Sequence, residues 1–124
     1  LTQYQPTHVL IELGANDGLR GFPVKKMQAN LTSLIQKSQA ANAMTALMEI
    51  YIPPNYGPRY SKMFTDSFSQ ISEETNTHLL NFFMLNIADK PELMQNDGLH
   101  PNKKAQPLIR DEMYDSIKTW LNKD

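Results

Sequence analysis

The sequence predicts an α/β fold built on a parallel sheet. Three short apolar runs, rich in leucine and β-branched residues, alternate with three longer stretches of helical periodicity. The first two of these runs stop at turn formers, Gly14 and Pro53-Pro54. A strand–helix order repeated in this way favours parallel pairing through right-handed crossovers, with helices covering the sheet faces.

Taken in order, His8-Val9-Leu10-Ile11-Glu12-Leu13 reads as a buried strand ended by Gly14. Residues 14–23, dense in glycine, asparagine and aspartate, read as a turn. Pro23 suits a helix start, and Val24, Met27, Leu31, Leu34 and Ile35 give one apolar stripe to a helix from Val24 to Asn42. Ala46–Ile52 is the second strand. The loop Asn55-Tyr56-Gly57 leads into a helix from Pro58 to Thr75, with Tyr60, Met63, Phe64, Phe68 and Ile71 facing the core. His78–Phe83 is the third strand. After an irregular segment, a last helix spans Lys103 to Asn122, with Ile109, Met113, Ile117, Trp120 and Leu121 inward. Three strands make a thin sheet with exposed flanks, open to pairing with another chain.

Composition excludes several classes. Twelve basic and thirteen acidic residues are intermixed along 124 positions, net charge −1, so no basic surface for nucleic acid is visible. No apolar run approaches the roughly 18 residues of a membrane span. The absence of cysteine removes disulfides, thiolate metal sites and a cysteine nucleophile. The chain opens on Leu1 with no signal-peptide pattern, and the expectation is that a segment preceding it was removed.

Two loops carry the chemistry. In Asp97-Gly98-Leu99-His100, an Asp three residues before a His can accept the imidazole Nδ1–H and leave Nε2 free to take a proton from a nucleophile. Pro101 disfavours helical backbone at His100 and keeps it in the loop. In Gly14-Ala15-Asn16-Asp17-Gly18, the Asn16 amide can donate to a developing oxyanion. Each loop has a plainer reading, a surface Asp-Gly turn in one case and a positive-φ turn in the other. Their joint occurrence at or shortly after strand ends, the edge where open α/β sheets bind ligands, argues for function.

Gly14-Ala15-Asn16-Asp17 resembles the third block, Gly-x-Asn-Asp, of the SGNH or GDSL hydrolases, and Asp97-Gly98-Leu99-His100 resembles their fifth, Asp-x-x-His. The flanking text, Leu13 to Phe22, Pro54-Asn55-Tyr56-Gly57 and Asp97 to Asn102 followed by Ala105-Gln106-Pro107, is similar to the family's bacterial thioesterase, protease and lysophospholipase group, also described as arylesterases. The resemblance implies a three-layer, flavodoxin-like fold, present in residues 1–124 as a single incomplete domain without its N-terminal strand and helix. It also implies a serine hydrolase of acyl esters, thioesters or lysophospholipids that needs no metal or cofactor, in a periplasmic or secreted location. His100 is then the general base, Asp97 its orienting partner and Asn16 an oxyanion donor. Gly14, Asp17, Leu19, Ile52, Tyr56 and Leu99 are the substrate-contacting candidates, with Asp17–Phe22 a mobile segment. Plain core packing explains Ile52 and Leu99 equally well.

One departure stands out. The family's Gly-Asp-Ser block does not occur in the chain, and its place lies upstream of Leu1. Ser33, Ser38, Ser61, Ser67, Ser69, Ser72 and Ser116 all fall in predicted helices, away from any strand-to-helix elbow. The expectation is therefore a base without its nucleophile, inactive alone. The alternative is a non-enzymatic module that binds lipid or a partner chain, including a second copy, through its open strand edge. His8 and His78 lack metal-ligand spacing and read as packing or surface residues. The sequon Asn30-Leu31-Thr32 lies in a predicted helix, and Tyr56, Arg59 and Tyr60 could rim a substrate entrance or simply begin a solvated helix.

Overall fold

The computed structural model describes residues 1–123, which fall into two compact units, residues 1–80 and 81–123. In the first unit, β1 (His8–Ile11), β2 (Met44–Met48) and β3 (His78–Leu80) form a parallel sheet in the order β1-β2-β3. Ile11 lies opposite Leu47, and Leu47 opposite Leu79. Connections of one hand between consecutive neighbours put both crossover helices on one face. Accordingly α2 (Val24–Ala40) and α3 (Pro58–Thr75) pack on each other and on β2. Met27, Ile35, Leu47, Met48, Phe64, Phe68, Ile71 and Leu80 are fully buried and form the core. Phe64 and Phe68 meet edge to face, their ring centroids 5.4 Å apart.

The α/β expectation holds, and α3 has the predicted bounds. Pro58 occupies its first turn, Gly57 supplies φ 102° before it, and Asn76 ends it at φ 52°. Elsewhere boundaries move. β1 ends at Ile11 rather than Leu13, because Leu13 turns outward and is 55% exposed. β2 starts two residues earlier than expected, where Met44 N–H donates to Thr7 O (2.8 Å), and stops at Met48. Ile50 and Ile52 are buried without belonging to the sheet. β3 stops at Leu80, three residues before Phe83.

Residues 15–19, expected as turn, form the short helix α1 (Ala15–Leu19). Gly18 makes it possible. A Cβ there would lie 2.7 Å from two Phe64 ring atoms and 3.0 Å from Ile52 Cγ2. Tertiary packing therefore overrides the turn preference of Asn-Asp-Gly. In α2 and α3 two side chains expected inward are not: Leu34 (40% exposed) borders a surface cleft, and Met63 (53%) lies beside the buried Phe64–Phe68–Ile71 stripe, which the half-buried Tyr60 extends.

In the second unit, turns over residues 83–89 precede a 3₁₀ turn at Pro91–Leu93 and another at Lys103–Ala105. The second of these runs into α4 (Gln106–Leu121). The expected helix from Lys103 is thus 3₁₀ in its first three residues. Phe82, Ile87, Ala105 and Trp120 are buried, whereas Leu121 is exposed at the helix end and Ile109, Met113 and Ile117 are half-buried. No helix among the described residues is long and apolar enough to cross a membrane.

Candidate functional site

The loop at residues 95–100 in the second unit is closed at its neck by main-chain hydrogen bonds. Gln95 N–H donates to His100 O (2.8 Å) and Asn102 N–H to Leu93 O (2.8 Å), while Met94 and Pro101 form an antiparallel bridge. Gly98 makes the turn at φ 67°, a conformation that favours glycine. Asp97 organises the interior. Its Oδ1 accepts from the main-chain N–H of Leu99 (2.9 Å) and His100 (3.0 Å), and its Oδ2 lies 2.5 Å from His100 Nδ1.

The His100 hydrogen bond, with the two main-chain donors adding to it, lowers the Asp97 carboxyl from 3.8 to about 2. The carboxylate is ionised at neutral pH and can only accept, so Nδ1 is the donor to it, and in the neutral imidazole Nε2 presents its lone pair. The imidazole is 68% exposed, leaving Nε2 open to a reacting group. The arrangement is that of a general base with a fixed tautomer.

A folded-state value below the unfolded one means that Asp97 stabilises the protein above the unfolded value. That contribution is lost as pH falls through the folded one. Asp97→Asn is therefore expected to lower the urea midpoint at pH 6. Its difference from the parent should shrink between pH 3.8 and about 2, the window set by the two values. Paired urea titrations at pH 6 and pH 2 check this.

Asn16 is in the first unit, on the second residue of α1. Gly14 enters that helix at φ 114°, where a Cβ would also press on Met27 Sδ at 3.2 Å. Gly18 N–H donates to Gly14 O (3.0 Å), Arg20 N–H to Asn16 O (3.1 Å) and Phe22 N–H to Asp17 O (2.9 Å), so the turn after β1 is internally bonded. Tyr60 Oη donates to Phe22 O (2.5 Å), tying residue 22 to α3. Burial, and then the nearby Asp17 charge, raise the Tyr60 phenol above its ordinary value. The Asn16 side chain is exposed and makes no hydrogen bond among the described residues, so its amide is available to a ligand.

Gly14, Asn16 and Asp17 line one cleft of about 380 Å³ at the C-terminal end of β1, together with Glu12, Asn30 and Leu34. The other predicted contacts separate. Ile52 is buried under Gly18, Leu19 is half-buried on α1, and Tyr56 is exposed on the 3₁₀ turn Pro54–Tyr56. Leu99 is half-buried in the second unit, in the same loop as Asp97 and His100.

The sequence reading missed Glu12 and Asn30 as cleft residues, and it missed Asn102 as a loop residue with several partners. An Asn directly before a helical stretch is a recognisable N-cap signal for the last of these. The seven serines lie in α2, α3 and α4. Ser38, Ser61, Ser67, Ser69 and Ser72 each donate their hydroxyl to a main-chain carbonyl. Among the described residues no group of His, Asp or Glu is arranged to hold a metal.

Comparison with known proteins gives these loops a family. Residues 1–107 match the GDSL-like lipase/acylhydrolase family. Over 124 residues the chain is 44% identical to the thioesterase 1/protease 1/lysophospholipase L1 of Escherichia coli (strain K12), covering all of this chain and 60% of that protein. It is 49% identical over 109 residues to an arylesterase of Vibrio mimicus, covering 88% of this chain and 54% of that one. The crystal structure of a psychrotrophic esterase, EstA from Pseudoalteromonas sp., inhibited by monoethylphosphonate, superposes with a TM-score of 0.95 at 85% identity, over 99% of this chain and 67% of that one. The chain thus spans a little over half the length of these curated relatives. With a family match over most of its length, the chain belongs to the GDSL-like lipase/acylhydrolases and has the α/β fold of the SGNH hydrolases.

Proposed function

We propose that this chain supplies the base and one oxyanion donor of a serine-type hydrolase acting on acyl esters or thioesters. Its nucleophile is carried by a segment outside these 124 residues. The observation that carries the proposal is the 2.5 Å contact between Asp97 Oδ2 and His100 Nδ1, with Nε2 left open. In the reaction, Nε2 takes the proton of the attacking serine hydroxyl, and the acyl carbon becomes tetrahedral. Its oxyanion accepts from the Asn16 amide. His100 then returns the proton to the departing alcohol or thiol, and water repeats the sequence on the acyl-serine.

The helical placement and main-chain hydrogen bonds of the chain's serines support a nucleophile from elsewhere. The open edge of β1 supports a place for a further strand. Substrates of the acyl ester, thioester and lysophospholipid type, and a periplasmic or secreted location, belong to the same proposal. The names of the relatives support the substrate types.

The test is hydrolysis of p-nitrophenyl butyrate by the 124-residue chain and by the protein with the nucleophile-bearing segment. Saturable turnover is expected only from the second. Turnover by the bare chain that His100→Ala abolishes would overturn the placement of the nucleophile. In the complete protein, Asn16→Ala should lower kcat by about 10²–10³ with little change in KM, since its hydrogen bond strengthens only as the oxyanion forms. An unchanged kcat removes Asn16 from the oxyanion site.

A further inference from the structure

Asn102 makes more hydrogen bonds than any role so far assigned to it requires. Its Nδ2 donates to Glu92 O (2.8 Å) and Met94 O (3.4 Å), on the segment entering the His100 loop. Its main-chain N–H donates to Leu93 O (2.8 Å) on that same segment. Its Oδ1 accepts from Ala105 N–H (3.2 Å), capping the turn that runs into α4. One half-buried side chain thus joins both ends of the loop to the start of the last helix, two residues from His100.

Around it, Gln95 Nε2 donates to Pro101 O (3.1 Å) and Gln95 N–H to His100 O (2.8 Å). These bonds fix the His100 backbone from the neck of the loop. The Asp97 carboxylate holds the same backbone from inside the loop, through the Leu99 and His100 N–H groups, and its Oδ2 sets how the ring is turned.

We propose that Asn102 is a positioning residue for His100: its amide NH₂ clamps the neck of the loop and so holds the imidazole in line with Asp97. This rests on the proposed role of His100 as base. The two halves of the Asn102 side chain make the clamp separable from the cap. Asn102→Asp keeps an N-cap oxygen for Ala105 N–H but turns a carboxylate toward two carbonyl oxygens. Asn102→Ser keeps a capping hydroxyl and lacks the paired donors.

Both variants are made in the protein carrying the nucleophile. Two quantities are read: p-nitrophenyl butyrate kinetics, and the downfield proton resonance of His100 Nδ1–H by NMR. A clamp predicts that kcat falls roughly tenfold or more with KM held within about twofold, because a base displaced by a fraction of an ångström loses rate rather than binding. It also predicts that the Nδ1–H resonance is lost to solvent exchange while helical circular dichroism is unchanged. Parental kcat and an intact Nδ1–H resonance in both variants would overturn it. Should the aspartate variant fail to fold, the serine variant decides by the same two readouts. His100→Ala in the same protein separates the claims. If that variant stays active, the role of His100 is wrong. If it is inactive while the Asn102 variants are unaffected, the clamp alone is wrong.

Discussion

Replacing His100 by alanine is expected to lower ester hydrolysis by the complete protein by about 10⁴-fold or more, the largest effect of any single substitution in this chain. The expectation comes from the division of labour at the loop. In the proposed mechanism, removing the imidazole leaves the attacking serine hydroxyl without an acceptor and the leaving group without a donor, so both chemical steps slow. The proposed oxyanion donor Asn16 remains, which is why a residual rate above the uncatalysed reaction is expected rather than none. KM should change little, since a general base acts on protons in the transition state and not on substrate binding. Stability should fall by no more than Asp97→Asn lowers it, because the side chain is 68% exposed and loses only its hydrogen bond to Asp97. Steady-state kinetics with p-nitrophenyl butyrate, with urea unfolding of the same sample, separates loss of catalysis from loss of fold. A His100→Ala protein within tenfold of the parental kcat/KM would exclude His100 as the general base.

The largest expected effect on stability comes from Phe64→Ala, about 3–5 kcal/mol. The ring is fully buried, meets Phe68 edge to face at 5.4 Å and stacks toward Tyr60 at 6.4 Å. It also forms the wall against which α1 is laid, with Gly18 so close that a Cβ would sit 2.7 Å from the ring. Gly18→Ala alone should therefore destabilise by about 1–3 kcal/mol, since neither the ring nor Ile52 has room to withdraw. In the Phe64→Ala background the two 2.7 Å ring contacts are gone, and Ile52 Cγ2, at 3.0 Å, can shift into the vacated volume. There it should become neutral or favourable, by up to about 1 kcal/mol from helix propensity. The double variant is thus expected to be more stable than the sum of the single changes predicts. Urea midpoints for the four proteins of the cycle measure this, and strict additivity would show that Phe64 is not what confines Gly18.

The sequence reading succeeded where local chemistry decides the outcome. Asp97, Gly98, His100 and Pro101 set their own geometry within six residues, so the carboxylate–imidazole pair was legible and the structure contains it. Proline and glycine punctuation likewise placed α3, whose ends are fixed by Gly57, Pro58 and Asn76. It failed where distant residues decide. Nothing local marks residues 15–19 as helix, because Asn-Asp-Gly favours a turn until Phe64 and Ile52 close over Gly18. An apolar run places Leu13 in the interior and helical periodicity places Leu34 there, yet both border the cleft beside Asn16. The roles of Glu92 and Met94 at the loop neck run through their main-chain carbonyls, which residue identity does not encode.

The central claim is that His100 and Asp97 serve a serine that lies outside residues 1–124. Its most direct test is to treat the complete protein with a p-nitrophenyl alkylphosphonate and map the adduct by peptide mass spectrometry. The account predicts one stoichiometric phosphonate on a serine outside these residues, formed rapidly by the parent and far more slowly by His100→Ala. A phosphonate on any of Ser33, Ser38, Ser61, Ser67, Ser69, Ser72 or Ser116, or labelling indifferent to the loss of His100, would contradict it.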